Sequence, residues 1–176
     1  ITKEGPLFFA DATVNVNPSA YDMVDITELT YHTVKQFNIE PRIALLSYSN
    51  FGSAKGESPS KVRKALEMLK EKHPDWKIDG ELQANLALND KILQEFFPFS
   101  DLINGGANTL IFPDLSSGNI SYKLLQELGA ADAIGPILVG LNKSIHVLQL
   151  GSSIREIANM VAIAVMDAQS KKKMND

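Results

Sequence analysis

Two loops carry hydroxyl, amide and glycine residues immediately before a predicted helix. The candidate ligand residues in the first loop, residues 47–54, are Ser49, Asn50, Gly52 and Ser53. Those in the second loop, residues 113–119, are Ser117 and Asn119. Backbone N–H groups at the start of a helix lack partners within that helix, and the helix dipole favours negative charge there. The loops therefore predict anion binding, although the same residue types also form ordinary turns and helix caps.

The elements that would position these loops alternate between strand and helix. Short apolar segments predict strands at residues 7–12, 42–47, 76–82, 109–112, 134–141 and 144–148. Helical periodicity and end signals predict helices near residues 19–38, 59–73, 90–97, 118–128 and from residue 153 onwards. This alternation indicates a three-layer α/β fold with a largely parallel sheet and flanking helices. Ligands of such sheets bind in the loops at the carboxyl ends of the strands, where both candidate loops would lie.

Capping signals mark the ends of the first and last helices. The first helix is expected to be capped near Asn17 or Ser19, with Pro18 in its first turn. The last helix opens with the capping box Ser153-x-x-Glu156. Its apolar residues are Ile157, Val161, Ala164, Val165 and Ala168. We expect this face to be buried against the rest of the chain, a missing domain or a partner subunit.

Composition excludes several classes of function. A net charge of −4 gives no basic face for nucleic acid. No run of about 18 apolar residues is present, so no membrane span is predicted. The three histidines lie far apart and show no metal-ligand spacing, so no metal site is expected. The absence of cysteine fits a cytoplasmic protein. Because the chain starts at Ile1 and enters an apolar strand at once, we expect it to be part of a longer polypeptide.

Family motifs run the length of the chain. They include LFFAD at 7–11, LLSYS at 45–49, DGELQA at 79–84, LIFP at 110–113, SGNI at 117–120 and IGPIL at 134–138. With these motifs the chain resembles the phosphate acetyl/butyryl transferase (phosphotransacetylase) family. The resemblance implies a two-lobed α/β architecture similar to the isocitrate and isopropylmalate dehydrogenase fold. Residues 1–148 would be the second lobe, and residues 149–176 a helical segment that returns to the missing first lobe or to a partner.

The catalytic positions of this family are altered. Acetyl transfer between coenzyme A and phosphate needs a base for the thiol and a cation over the acyl or phosphate oxygens. By resemblance, the family's serine corresponds to Gln149, its arginine to Leu150 and its acidic residue to Glu156. Leucine cannot supply the cation, so no catalytic residue is expected. Glu156 could act as a base, but it is also the acid of the capping box.

A second departure suggests what replaces catalysis. Phe51 stands where phosphotransacetylases often carry lysine, and together with Gln149-Leu150 it resembles the carboxy-terminal module of bacterial NADP-dependent malic enzymes. That resemblance implies a homo-oligomer, dimeric or larger, that binds acetyl-CoA as a regulatory ligand. NADP and a divalent metal would belong only to the parent malic enzyme domain.

The resemblance and the loops together define the predicted ligand residues. They are Ser49, Asn50, Gly52, Ser53, Ser117, Asn119, Tyr122, Lys143 and Gln149. For Tyr122 and Lys143 the alternative is an apolar stem packed inside with a polar tip in water. Asp11 and Glu81 could line the cleft or hold turns. Two other functions stay open: a fragment of an active phosphate acetyltransferase, or a purely structural dimerisation module.

Overall fold

The computed structural model describes residues 1–2, 5–129, 133–148 and 150–175. The strands are β1 (Phe8–Ala10), β2 (Arg42–Leu46), β3 (Lys77–Leu82) and β4 (Thr109–Ile111). The helices are α1 (Ala20–Gln36), α2 (Glu57–Lys72), α3 (Ala84–Ala87), α4 (Asp90–Phe96), α5 (Leu115–Glu127) and α6 (Ile154–Asn175). The predicted alternation of strand and helix is confirmed, and the short helix α3 was not predicted.

The four strands form one parallel sheet in the order β1-β4-β2-β3. In the register of the central pair, Ile43 lies opposite Thr109 and Leu45 opposite Ile111. Because all four strands point the same way, their carboxyl ends share one edge. The loops that follow β1, β4 and β2 therefore lie side by side there.

Each face of the sheet packs against helices, which confirms the predicted three layers. Successive residues of β2 point to opposite faces. Ile43 and Leu45 join a buried cluster with residues of α1 and α2. Ala44 and Leu46 join a second cluster with residues of α3, α4 and the segment that precedes β4.

Capping side chains confirm Ser19 as the cap of the first helix but correct the position of Pro18 and the start of α5. The Ser19 hydroxyl accepts from Asp22 N–H, so α1 begins at Ala20 and Pro18 lies before the helix instead of in its first turn. The Asp114 carboxylate accepts from Ser117 N–H at 2.8 Å, and α5 therefore begins at Leu115, three residues before the predicted Gly118.

The two strands predicted at 134–141 and 144–148 are wrong for the described residues, which have no strand structure there. Gly135 and Gly140 have φ values of 144° and 80°, outside the extended region, and Pro136 has no N–H for a ladder. Residues 144–148 do alternate, but Ser144 and His146 face α6 while Ile145 and Val147 are exposed. The inward side chains of Ser144 and His146 therefore contact helix α6 and not a neighbouring strand.

Helix α6 buries a different face from the predicted one. Met160 and Ile163 are 5% and 9% exposed, whereas Val161 and Val165 are 58% and 50% exposed. The inner face contacts α1. The Ser144 hydroxyl also donates to the carbonyl of Ala164 at 2.9 Å. Of the three partners expected for the predicted apolar face, the rest of this chain is therefore wrong, while a missing domain or a partner subunit stays a prediction.

An aromatic stack fastens the end of α2 to α1. The Trp76 ring lies between Tyr31 and His73, with ring centroids 3.7 and 3.8 Å away and nearly parallel planes. Glu28 Oε1 lies 2.6 Å from Lys72 Nζ and 2.8 Å from His73 Nε2. Burial opposes the ionisation of Glu28, but the hydrogen bonds from Lys72 and His73 outweigh it and lower its pKa from the ordinary 4.5.

This lowered pKa predicts a pH-dependent contribution to stability. A carboxylate with a depressed pKa stabilises the fold fully above its unfolded pKa, and this is lost as pH falls through the folded pKa. We expect Glu28→Gln to lower the free energy of unfolding at pH 6 and to lose this effect progressively below about pH 4.5. Urea denaturation of both proteins between pH 6 and pH 3 tests this. A difference that stays constant over that range would contradict it.

Candidate functional site

The candidate site lies at the carboxyl edge of the sheet, where a lysine joins three elements. Lys61, in the second turn of α2, donates to Asn17 Oδ1 at 3.0 Å and to the carbonyl of Pro113 at 2.8 Å. These acceptors belong to the loops after β1 and β4. No local motif marks Lys61, because its partners lie 44 and 52 residues away.

The backbone N–H groups of the loop after β2 are hydrogen-bonded within the protein. Every N–H group from residue 49 to residue 54 has a partner inside the protein. These bonds are Ser49 to Ser47 Oγ, Asn50 to Ser53 Oγ, Phe51 to Glu81 O, Gly52 to Glu81 Oε1, Ser53 to Asn50 O and Ala54 to Ser49 Oγ. The expectation of bare N–H groups in this loop is therefore wrong. Ligand binding by Ser49, Asn50, Gly52 and Ser53 stays a prediction, and a ligand would have to reach their hydroxyl or amide groups.

A salt bridge between Glu81 and Arg63 lies beside this loop. Glu81 is fully buried, and its Oε1 accepts from Gly52 N–H at 3.0 Å and from Arg63 Nη1 at 2.8 Å. Its Oε2 has no hydrogen-bond partner among the described residues. The pairing with Arg63 offsets a negative charge that would otherwise repel an anion from the loop. No local motif marks Arg63 either, since its partner Glu81 lies on β3.

Phe51 packs into an aromatic cluster beside the loop. Its ring centroid lies 5.0 Å from that of Phe97 and 4.8 Å from that of Phe99. The Phe51 backbone has a φ of 46°, which is uncommon for a bulky residue. Contacts with two rings favour this conformation. Phe51, at the position where the family resemblance expects lysine, therefore packs against other aromatic side chains.

Polar groups of the loop after β4 and the start of α5 are also hydrogen-bonded within the protein. Ser117 donates its N–H to Asp114 Oδ1 and its hydroxyl to the Asp114 carbonyl, each at 2.8 Å. Asn119 Nδ2 donates to the carbonyl of Ala12 at 3.1 Å. Lys123 Nζ lies 4.7 Å from the centroid of the Tyr122 ring. Of these side chains, Asn119 contacts the loop that follows β1.

Asp11 serves the turn after β1. Its carboxylate accepts from the N–H groups of Thr13, Val14 and Asn15 and from Asn15 Nδ2, at 2.7 to 3.0 Å. Burial opposes its ionisation, but the hydrogen bonds from Thr13, Asn15 and Val14 lower the pKa of Asp11 below the ordinary 3.8. Of the two roles left open for Asp11, the structure favours the turn.

The remaining predicted residues lie around α6. Lys143 is exposed, and its carbonyl accepts from Lys171 Nζ at 3.3 Å. Leu150 is fully exposed just before the helix. Glu156 Oε2 accepts from Ser153 N–H at 2.6 Å, which confirms the capping box, and this bond lowers the pKa of Glu156 below the ordinary 4.5. Gln149 lies outside the described residues.

A cavity of about 630 Å³ adjoins Asn119 and Tyr122. It lies between β1, α1, α5 and residues 133–139. Four segments that are distant in sequence form its walls, so no local pattern predicts it. Among the described residues, no group of three or more His, Cys, Asp or Glu side chains could hold a metal ion. Within the same part of the chain, no helix is long and apolar enough to cross a membrane.

Comparisons with known proteins agree on the family to which this chain is similar. The family model described as phosphate acetyl/butaryl transferase matches residues 1–165. The phosphate acetyltransferase of Clostridium acetobutylicum is 46% identical over 168 residues, which are 95% of this chain and 50% of that protein. The NADP-dependent malic enzyme of Haemophilus influenzae is 45% identical over 167 residues, which are 95% of this chain and 22% of the malic enzyme.

A solved structure agrees with the fold. The crystal structure of a phosphotransacetylase from Streptococcus pyogenes matches with a TM-score of 0.85 and 44% sequence identity. The match covers 92% of this chain and 49% of the other. The chain thus spans about half the length of these two phosphotransacetylases and 22% of the malic enzyme.

Proposed function

The chain belongs to the phosphate acetyl/butaryl transferase family, and we propose that it is a non-catalytic acetyl-CoA-binding module of an NADP-dependent malic enzyme. In this proposal acetyl-CoA is a regulatory ligand. It inhibits or activates the remote malic enzyme site because it binds two quaternary states with different affinity. NADP and a divalent metal are bound only by the parent enzyme domain.

The observation that carries this proposal is Leu150. The family resemblance places a catalytic arginine at this position, and the residue here is an apolar side chain fully exposed before α6. Leucine cannot supply, at this position, the guanidinium that would stabilise the charge that develops on the acyl or phosphate oxygens. The loss of one pre-organised donor of this kind costs roughly 2.7–4 kcal/mol of transition-state stabilisation.

The proposed base position supports the same conclusion. The Glu156 carboxylate is engaged by Ser153 N–H at 2.6 Å, and its pKa is lowered by that bond. A carboxylate with a lowered pKa is a weaker base toward a thiol. A capping role for Glu156 accounts for its contacts without catalysis.

The exposed face of α6 supports the proposal that residues 149–176 pack on a further lobe or on a partner subunit. The apolar side chains of Ile157, Val161 and Val165 share one side of the helix, and all three are exposed. A continuous exposed apolar stripe of this kind is typical of an interaction surface. We propose that this stripe contributes to assembly of a homo-oligomer.

Binding of acetyl-CoA tests the regulatory proposal. We expect a dissociation constant in the micromolar range by isothermal titration calorimetry, and acetyl-CoA should alter malate oxidation by the complete polypeptide. Lys143→Glu should weaken binding about tenfold, because it replaces a cation near the ligand phosphates with an anion; this corresponds to about 1.4 kcal/mol. Lys91→Glu, the same change on the exposed surface of α4, is the matched control and should leave binding unchanged. Absence of binding up to millimolar acetyl-CoA would overturn the proposal.

A second candidate is a fragment of an active phosphate acetyltransferase. The specific observation in its favour is the 46% identity to the Clostridium acetobutylicum enzyme, which is similar to the 45% identity to the Haemophilus influenzae malic enzyme. Acetyl transfer by the unsubstituted protein separates the two candidates. A purely structural dimerisation module would show neither transfer nor binding.

A further inference from the structure

Residues 144–148 have the features of a strand without a neighbouring strand. Inward Ser144 and His146 alternate with outward Ile145 and Val147. The His146 side chain is 3% exposed, whereas Ile145 and Val147 are 56% and 52% exposed. β-Branched residues and a period of two are typical of strands. The segment therefore lacks only a partner strand among the described residues.

The backbone of this segment is unpaired. None of its N–H and C=O groups forms a hydrogen bond with the residues that the structure describes. Side chains hold its inner face on α6: the Ser144 hydroxyl donates to the Ala164 carbonyl, and His146 Nε2 lies 3.3 Å from that hydroxyl. These contacts leave the backbone groups open. A row of unpaired backbone donors and acceptors is a template for pairing with a strand of another chain.

The segment is complementary to itself. Directly opposite side chains of an antiparallel pair point to the same face. A pair centred on His146 places Ile145 opposite Val147 of the second copy, and this contact occurs twice. A pair centred on Ile145 would put Val147 opposite Lys143, and a pair centred on Val147 would put Ile145 opposite Gln149. The register centred on His146 therefore joins apolar β-branched side chains on the outer face.

The exposed apolar stripe of α6 adjoins the same segment. Val165, a member of this stripe, follows Ala164, whose carbonyl accepts from Ser144. The two-fold axis of an antiparallel pair is perpendicular to the pair, so it brings both copies of α6 to the same side. The two helices then lie next to each other, and their exposed apolar side chains can be buried in the same contact. One symmetric contact thus accounts for both exposed features.

We propose that residues 144–148 pair antiparallel with the same segment of a second copy, in the register centred on His146. This pairing deepens the homo-oligomer of the proposed function and rests on it, because it names the backbone segment and the symmetry of the contact. A two-fold contact uses the same surface on both copies, so this contact joins two chains and then closes.

Sedimentation equilibrium of the 176-residue chain measures this pairing. We expect a dissociation constant of about 10 µM for the dimer, because a strand pair with helix contacts beside it is a small interface. Ile145→Lys and Val147→Glu should each raise this constant about tenfold, since each puts a charge opposite an apolar side chain. The double variant should return to within about threefold of the unsubstituted chain, because the introduced ammonium and carboxylate then face each other twice.

Ile120→Lys is the matched control. Ile120 lies on α5 and is 58% exposed, close to the 56% of Ile145. The same charge at that position should leave the dissociation constant unchanged. Because all of the substituted side chains are exposed, the variants should fold, and circular dichroism checks this.

Amide hydrogen exchange above and below the dissociation constant tests the backbone contact directly. Alternate amides between residues 144 and 148 should become protected as the dimer forms, because alternate N–H groups of a strand bond to its neighbour on one side. A dimer in which these amides exchange as fast as in the monomer would overturn the strand pairing.

Further results separate this inference from the proposed function. A chain that stays monomeric at about 1 mM would overturn both the pairing and the homo-oligomer of this module. A dimer that is weakened by Val161→Lys but not by Ile145→Lys would overturn the pairing and leave assembly through α6. A double variant as weak as the single variants would overturn the pairing in this register. The expected dimer without acetyl-CoA binding would support the pairing and overturn the regulatory proposal.

Discussion

Replacement of Leu150 with arginine should raise phosphate acetyltransferase activity about 10²- to 10³-fold above that of the unsubstituted protein. The guanidinium would stand at the position where the family resemblance places the catalytic cation. Removal of one such pre-organised donor costs roughly 2.7–4 kcal/mol, and its restoration should return a comparable amount. Because Leu150 is fully exposed, the substitution removes no packing.

The measurement is acetyl-CoA formation from acetyl phosphate and CoA by the complete polypeptide. Leu148→Arg is the matched control, since it adds the same charge on an exposed side chain two residues earlier. It should not raise the activity. Leu150→Lys should give a smaller gain, because an ammonium lacks the planar two-pronged geometry of arginine. Rapid turnover by the unsubstituted protein would contradict the argument and support the active-enzyme candidate.

Gly118→Ala should destabilise the protein by about 3 kcal/mol, which corresponds to a fall of roughly 6–12 °C in Tm for a chain of this size. A Cβ atom at residue 118 would overlap the carbonyl oxygen of Asp11 and lie 3.2 Å from the Cα of Ala12. Both contacts are with backbone, so no side chain can rotate to make room. Either α5 or the end of β1 must move.

Gly129→Ala is the matched control for this prediction. Gly129 has a φ of 64°, and no atom of the residues that the structure describes lies within 4 Å of a Cβ built there. Backbone strain alone should cost about 1 kcal/mol. Thermal and urea unfolding followed by circular dichroism measure both variants. If Gly118→Ala costs no more than Gly129→Ala, the close approach of α5 to β1 is not as the structure describes it.

The two predictions concern different parts of the candidate site. The Leu150 prediction tests the proposed loss of acetyl transfer, whereas Gly118 lies where α5 approaches the loop after β1. The bond from Asn119 Nδ2 to the Ala12 carbonyl depends on this approach. A variant that separates the two loops should therefore lower the affinity for any ligand that binds between them.

Much of the fold could be predicted because its signals are local. The apolar segments that became β1 to β4 and the caps at Ser19 and Ser153 depend on residues a few positions apart. The strand prediction at 144–148 failed for an instructive reason. Alternation of apolar and polar residues indicates that a segment has an inner and an outer face. It does not indicate whether the inner face packs against a strand or a helix. Here α6 receives it.

The candidate site was less predictable because its bonds join distant residues. The composition of residues 47–54 indicated helix-start donors. The structure shows that Glu81, 29 residues after Gly52, uses one of those donors. Lys61 and Arg63 carry no local motif, and their contacts with the strand-end loops and β3 arise only from packing.

The sequence by itself determined the α/β class, the family and the absence of an arginine at residue 150, because these depend on residue identity and short-range periodicity. The tertiary structure alone decided which face of α6 is buried, which loop donors remain available and where a cavity opens beside β1. The physical reason is that burial and hydrogen bonding depend on which distant segments meet, and a local pattern does not identify those partners.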